Sequence, residues 1–458
     1  VQGPRSDLTR AAWLFAAAFL ASCCLVVEHD APWYLACGDL ILRTRSLPLH
    51  DPFSFTSTIP WLNHEWLSEI LLALVYRAGG WKALSLLCAL GVAGVVAIAA
   101  YGTRRSGGID AGAAFVWALL VVVLRESFAP RATLFADLAF VSTLVIVMLD
   151  DEDGRRLWWC IPIQLVWTQL HGGNPLGVVL LALRFLTGPS ARRALVAVLA
   201  ALATMAGPYG WRVHAHFAGA HGSLQLIREW QSLVAPLLAG AMSAWIALAL
   251  VIAALTMTVV ALRRTPSDAR ARFTCAAVFV FGVAALRWSR FVTEASIVAA
   301  VALAPVVGRA WSSRFVCVAG IAIAVVVGVI GPRTPGLGLD ARAFPTAAVA
   351  WLRENHPSGP MFNSYNFGGY LLWARPEERV FIDGRAFTVY DPTLLAVLSA
   401  LYADPRQFAS LVARYDLKLA VLQRGGRGAA FDAWLSAQGN WSRLHRDPLA
   451  DIFVRTTP

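Results

Sequence analysis

The chain has 458 residues, of which 58% are hydrophobic and 15% carry a formal charge, well below the roughly 25% charged content of ordinary soluble domains. That balance excludes a soluble globular protein over most of the length and points to burial in a bilayer. The net charge of +11 does not call for nucleic acid as a partner, because the basic residues lie in short connections between apolar runs, which is a topology signal.

Apolar runs recur along the first three quarters of the chain, near the ~20 residues a helix needs to cross a ~30 Å hydrocarbon core. Open strands are excluded, since unpaired backbone groups in lipid cost several kcal/mol each. Spans are expected near 11–28, 81–101, 111–124, 133–149, 157–170, 174–187, 194–207, 236–262, 273–289, 294–308 and 315–331. The first run, Ala11 to Val27, lacks a small-residue cleavage site and leads straight into a polar loop, so it reads as a retained helix. Of seven cysteines, six lie inside apolar runs and only Cys37 sits in a loop, so no disulfide framework is implied. The fold class expected is an α-helical polytopic membrane protein of about eleven helices, over residues 1–331, followed by a soluble α/β domain over 332–458.

Every second connection is arginine-rich: Arg5 and Arg10, Arg104 and Arg105, Arg155 and Arg156, Arg192 and Arg193, Arg263 to Arg272, then Arg309 and Arg314. The positive-inside rule places these, and the N-terminus, in the cytoplasm of an inner-membrane protein, and the C-terminal domain outside. The other face receives a long first loop, 29–66, and the polar segments around Arg125 to Arg131, His171, Pro208 to Leu233 and Arg287 to Arg290.

In the first loop, Asp30 follows the first span within three residues, with Trp33 and Tyr34 just behind it. A carboxylate so near hydrocarbon is costly unless it is used, and it is well placed to act as a base toward a molecule at the membrane surface. Residues 32–42 and 66–76 have apolar positions spaced for helices lying in the interface. Between them lie Asp51, His64 and Glu65. For these, bland roles stand beside chemical ones: Asp51 before Pro52 starts a turn, Glu65 caps a helix, His64 bonds the loop. A divalent cation held by His29, Asp30, His64 and Glu65 is chemically conceivable, but adjacent HD and HE pairs lack a ligand spacing.

The stretches HDAPWYLACGDLI, DPFSFT and HEWLSEILLALVY, with an acid just after the first span, interfacial helices in the first outer loop, many spans and a terminal outer domain, resemble the GT-C superfamily of polyprenyl-phosphate-sugar glycosyltransferases. They are similar in particular to bacterial membrane proteins related to the protein mannosyltransferase and aminoarabinose transferase group. The resemblance implies transfer of a sugar from a polyprenyl-phosphate-linked donor to a glycan, lipid or protein acceptor, with Asp30 as base; Glu65 is the second catalytic candidate in the first loop. Where the mannosyltransferases have paired acids this chain has His29 and Asp30, which leaves the acceptor type open.

The segments RESFAPRATLF and RWSRF bring Arg125 with Arg131, and Arg287 with Arg290, to the outer boundary. Guanidinium groups bind phosphate oxygens bidentately and stabilise a phosphate as it leaves; snorkelling from a helix end, or pairing with Glu126 and Glu294, is the plain alternative. WTQLHGGNPLG puts His171 at a helix end before two glycines, and IREWQS supplies Arg228, Glu229 and Trp230.

After residue 332 the apolar runs shorten. Helical patterns near 345–355, 391–402, 404–414 and 429–438 alternate with strand candidates at MFN (361), VFID (380), LAVLQ (419) and DIFV (451). Gly368 and Gly369 open a short helix, and Asp383, Gly384 and Arg385 end the strand at 380, at the edge where open α/β sheets place ligands. This segment loosely resembles the outer-domain motif of oligosaccharyltransferase catalytic subunits, but Asn366 stands at the acid position, so acceptor-peptide recognition does not carry over. Asp383 and Arg385 serve either as ligand contacts or as a structural ion pair. Three functions are consistent with the sequence: an inverting sugar transferase, a lipid-linked sugar transporter, and a non-catalytic assembly protein. The absence of a clear repeat disfavours the transporter.

Overall fold

The computed structural model describes residues 4–110, 112–150, 154–219, 228–310, 322 and 333–456. The span expected at 315–331, with Cys317, lies outside them apart from Ala322, as does Arg314. The chain forms two compact units. One comprises Val1–Leu25, Gly79–Arg212 and Arg228–Gly338; the other comprises Val26–Ala78, Val213–Ile227 and Leu339–Pro458.

The first unit is a helix bundle. Each expected span from 11–28 to 294–308 overlaps an apolar helix: Pro4–Ala21, Trp66–Thr103, Ala113–Ser127, Thr133–Met148, Cys160–Leu170, Pro175–Thr187, Ala191–Ala203, Met242–Arg264, Ala269–Arg287 and Val292–Ala310. The helices Trp66–Thr103, Met242–Arg264, Ala269–Arg287 and Ser289–Ala310 are long and apolar enough to cross a membrane, and several others are shorter apolar helices. The architecture is that of a multi-pass membrane protein. Trp13, Leu195, Val198, Leu202, Trp245, Ile252 and Phe279 are exposed, which suits contact with lipid better than contact with water.

Two expectations are corrected here. The first helix ends at Ala21, because the chain from Cys23 onward is extended beside 334–340: the Leu25 amide donates to the Thr334 carbonyl at 2.9 Å, and the Asp340 amide to the Val26 carbonyl at 2.9 Å. The interfacial helix expected at 66–76 and the span at 81–101 run into one another across a kink, where Gly79 (φ −162°, ψ 19°) and Gly80 (φ 61°, ψ −154°) leave helical geometry. The Gly80 conformation is one that a Cβ would strain.

Charges at the arginine-rich helix ends are closed locally. Asp150, with its side chain fully buried, takes Arg184 at 3.2 Å and Arg193 at 2.8 Å, and Arg10 pairs with Asp110 at 3.1 Å.

In the second unit a four-stranded sheet has the order β1-β2-β4-β3, where β1 is Met361–Asn363, β2 Leu419–Gln423, β3 Trp441–Arg446 and β4 Ala450–Arg455. β1 and β2 are parallel, and the other pairs are antiparallel. β3 was not among the expected strands, because its sequence WSRLHR carries two arginines and a histidine in six residues and shifts register between Arg443 and His445. Conversely, VFID at 380 does not join the sheet. Val380 pairs in an isolated bridge with Ser54: its amide donates to the Phe53 carbonyl at 2.9 Å, and its carbonyl accepts from the Phe55 amide at 3.2 Å. The extended pattern at 380 is real, but its partner is the first loop.

The helices Thr346–Asn355, Pro392–Leu401, Phe408–Tyr415 and Ala429–Ser436 fall where expected. Phe408 centres the aromatic core, with ring centroids 5.1 Å from Phe362, 4.9 Å from Phe431 and 5.6 Å from Trp441. Phe408→Ala removes a fully buried ring from this cluster and is expected to cost about 3–5 kcal/mol. A thermal melt of the purified variant beside wild type, read with limited proteolysis of the C-terminal 120 or so residues, checks it.

Candidate active site

In the second unit, Asp30 is the N-cap of the helix Ala31–Thr44, whose first turn holds Pro32. Its main-chain carbonyl accepts from the amides of Trp33 and Tyr34 at 3.0 and 3.3 Å, while its side chain makes no capping bond. One carboxylate oxygen lies so close to Gly384 that a Cβ at that position would overlap Asp30 Oδ1 and stand 3.3 Å from Trp33 Nε1. The glycine of the Asp-Gly-Arg motif thus makes room for the carboxylate of the first loop.

One helical turn on, Tyr34 stacks on Trp33 at 3.8 Å and donates from its hydroxyl to Glu65 Oε2 at 2.5 Å. His64 Nε2 is 3.6 Å from Glu65 Oε1, and its ring meets Phe217 edge-on at 5.0 Å. Asp30 and Tyr34 share a helix face by their spacing, so the turn 30–34 links the predicted Asp30 to the predicted His64 and Glu65. Burial pushes the His29 imidazole below its ordinary range, against the opposing charge of Glu28. Among the described residues, no group of three or more His, Cys, Asp or Glu is arranged to hold a metal ion, and no cation is assigned to His29, Asp30, His64 and Glu65.

Asp383 and Arg385 sit in a buried network. The Arg385 guanidinium donates from Nη1 to Asp51 Oδ1 at 2.7 Å and from Nη2 to Asp383 Oδ2 at 2.6 Å, and Tyr390 donates to Asp383 Oδ2 at 2.6 Å. Phe53 and Trp61 lie under the guanidinium at 5.2 and 5.0 Å. Burial opposes ionisation of Asp383, but Arg385, with the hydrogen bonds from Arg385 and Tyr390, outweighs it and holds this carboxyl below the usual range. Burial dominates at Asp51 and pushes it up. Of the two readings open in the sequence, the structural ion pair is the one these contacts favour: Arg385 fastens Asp51 of the first loop to the Asp-Gly-Arg turn. Asp51 also accepts from the Phe53 amide at 2.9 Å, the turn expected before Pro52.

In the helix bundle, polar residues gather at the end opposite the arginine-rich connections. Arg131 Nη2 donates to Glu229 Oε2 at 2.8 Å, and Arg290 Nη1 donates to Glu229 Oε1 at 3.0 Å. Arg290 Nη2 lies 2.8 Å from His171 Nε2, and the Gly173 amide donates to His171 Nδ1 at 2.9 Å. Arg290 also sits over the Trp230 ring at 5.4 Å. Two predicted residues, Arg131 and Arg290, are thereby joined through Glu229, and a third, His171, through Arg290. The other two predicted arginines bond differently: Arg125 donates to Cys24 Sγ at 3.0 Å and to the Arg333 carbonyl at 2.7 Å, while Arg287 is exposed and packs over Trp288 at 5.2 Å. Beside the pairings with Glu126 and Glu294 that the sequence left open, Arg131 and Arg290 each bond one oxygen of Glu229.

Several participants were not candidates in the sequence. Glu69 is buried and accepts from Asn63 Nδ2 at 2.7 Å; its spacing of four from Glu65 was a usable signal. Asp137, buried within an apolar helix, lies within electrostatic reach of Glu294, Arg290 and Arg131. A lone acid inside an apolar run was the signal for it.

No protein-family model matches the chain, and no curated protein matches it by sequence. Solved structures do. The Archaeoglobus fulgidus oligosaccharyltransferase in complex with Zn and sulfate is similar with a TM-score of 0.62 at 14% identity, over 90% of this chain and 68% of that one. ArnT from Cupriavidus metallidurans bound to undecaprenyl phosphate gives 0.57 at 13%, over 98% of both chains. The mycobacterial arabinofuranosyltransferase AftD gives 0.51 at 12%, over 100% of this chain and 40% of that one. The chain has the fold of the GT-C glycosyltransferases, a polytopic membrane bundle with a C-terminal domain.

Two outcomes are expected from this geometry. Gly384→Ala places a methyl group on Asp30 Oδ1 and is expected to disturb the carboxylate while leaving the buried Arg385 network in place. Any activity or ligand binding that depends on Asp30 should fall at least about tenfold, with a melting temperature changed far less than by loss of a core ring. Glu229 is held down to about 2: burial would raise it, but Arg131 and Arg290 prevail. Because the folded value is depressed, its stabilisation is complete above the ordinary glutamate range and is lost as pH falls through about 2. The melting-temperature difference between wild type and Glu229→Gln should therefore be constant above about pH 5 and vanish toward the acid limit.

Proposed function

We propose that this chain is an inverting membrane glycosyltransferase that moves a sugar from a polyprenyl-phosphate-linked donor to an acceptor on the extracytoplasmic face. The observation that carries this reading is the pair Arg131 and Arg290, held on the two oxygens of one carboxylate at 2.8 and 3.0 Å. Two guanidinium groups so spaced, with His171 beside one of them, form a clamp for a phosphate. The GT-C fold supports the class of reaction, and the ArnT structure has undecaprenyl phosphate bound.

In this reading Asp30 accepts the proton of the acceptor nucleophile as it attacks the anomeric carbon. The bond from that carbon to the phosphate oxygen breaks, and the electron pair leaves with the lipid phosphate. In the helix bundle, the two guanidinium groups of the clamp are suited to bind a lipid phosphate. Glu65 is a positioning residue that fixes the Tyr34 hydroxyl one turn from Asp30. Arg125 is buried against Cys24 and the Arg333 carbonyl, and Arg287 packs over Trp288, so this reading places neither in the Glu229 clamp. The positive-inside pattern orients the bundle with the N-terminus in the cytoplasm and the C-terminal domain outside.

Incorporation of radiolabelled sugar from polyprenyl-phosphate donors by the purified protein tests this. Asp30→Asn is expected to lower kcat by about a hundredfold to ten-thousandfold, and Arg131→Gln or Arg290→Gln to raise KM for the lipid donor by about tenfold. Undiminished transfer by Asp30→Asn removes it as the base. Absence of transfer by wild type with a panel of common donors favours the non-catalytic assembly protein.

A further inference from the structure

Resting on the clamp reading above, we propose that Glu229 is a built-in occupant of the lipid-phosphate subsite: its carboxylate holds the place between Arg131 and Arg290 that the donor phosphate takes, and the donor binds by exchange with it. The two carboxylate oxygens each meet a different guanidinium, at 2.8 and 3.0 Å, as two non-bridging oxygens of a phosphodiester do. The position is reachable: the Glu229 side chain is 35% exposed and both arginine side chains 19%.

The main chain around Glu229 is fixed, so the side chain is the part that moves. Ser289 donates from its hydroxyl to the Glu229 carbonyl at 3.1 Å and from its amide to the Gln231 carbonyl at 2.8 Å, and the Leu233 amide donates to the Leu286 carbonyl at 3.3 Å. A rotation about the side-chain bonds frees the clamp without unfastening this strap. Two cations without a counter-ion at the edge of an apolar bundle are costly. Exchange of one anion for another, unlike simple addition, keeps them neutralised before and after the donor arrives.

Such an occupant lowers apparent affinity for every anion and rejects those that bind no better than a carboxylate. Removing its charge should tighten binding of a lipid phosphate. Binding of undecaprenyl phosphate to the purified full chain in zwitterionic nanodiscs measures this. Glu229→Gln and Glu229→Ala are each expected to bind about tenfold more tightly than wild type, equivalent to about 1.4 kcal/mol. Acetate, matched against chloride at equal ionic strength, should reverse the gain in Glu229→Ala and leave wild type unaffected. Unchanged or weaker binding by folded Glu229→Gln and Glu229→Ala overturns the proposal and makes Glu229 a residue that positions the arginines. Should both melt below the assay temperature, Glu229→Asp decides, since its shorter reach should give an intermediate gain, and no gain overturns the idea. If Arg131→Gln and Arg290→Gln bind as wild type does, the clamp reading itself fails and the proposal falls with it.

Discussion

A charge brought into a low-dielectric surrounding must be neutralised where it stands, and this chain meets that constraint in three ways. Asp150 joins Arg184 and Arg193 at the arginine-rich end of the bundle, with the carboxylate fully enclosed. Arg385 is locked between Asp51 and Asp383 with aromatic rings beneath it. Glu229 bridges Arg131 and Arg290. The first two are closed to solvent and act as fasteners. The third is partly open, with the Glu229 side chain 35% exposed, and that difference in exposure is what sets it apart from the two fasteners.

The fasteners also explain how a first-loop carboxylate becomes fixed. The loop is tied to the Asp-Gly-Arg turn by Arg385 and by the bridge from Ser54 to Val380, and the helix opening at Ala31 brings Asp30 against Gly384. Residues more than 350 positions apart in sequence are thereby held within contact. A carboxylate whose surroundings are fixed in advance, as proposed for the base Asp30, loses little freedom on meeting a ligand, which is the physical benefit of building it on a helix N-terminus and not on a free loop.

The assignment of function by residue therefore rests on different footings in the two units. In the bundle it rests on ion-pair geometry, because a carboxylate occupies the position of an anion. In the unit that carries the first loop it rests on steric fit, because only glycine at position 384 leaves room for the Asp30 oxygen. Neither footing depends on sequence identity with the solved GT-C structures, which is 14% or lower in the three compared.

The sequence by itself determined where the apolar helices run, because a bilayer demands long uninterrupted hydrophobic segments and that demand is written locally, residue by residue. It also determined the helices of the terminal domain and the candidacy of Asp30, Arg131, His171 and Arg290, since each breaks an apolar or interfacial pattern. Tertiary structure alone decided partnership. It chose Glu229, 98 residues from Arg131, as the bridge between the arginines; it gave Val380 to the first loop and withheld it from the sheet; and it turned Asp383 and Arg385 inward. Periodicity reports which face of an element is buried, but ion pairs and strand partners are contacts between segments distant in the chain, and nothing in either segment alone encodes the distance between them.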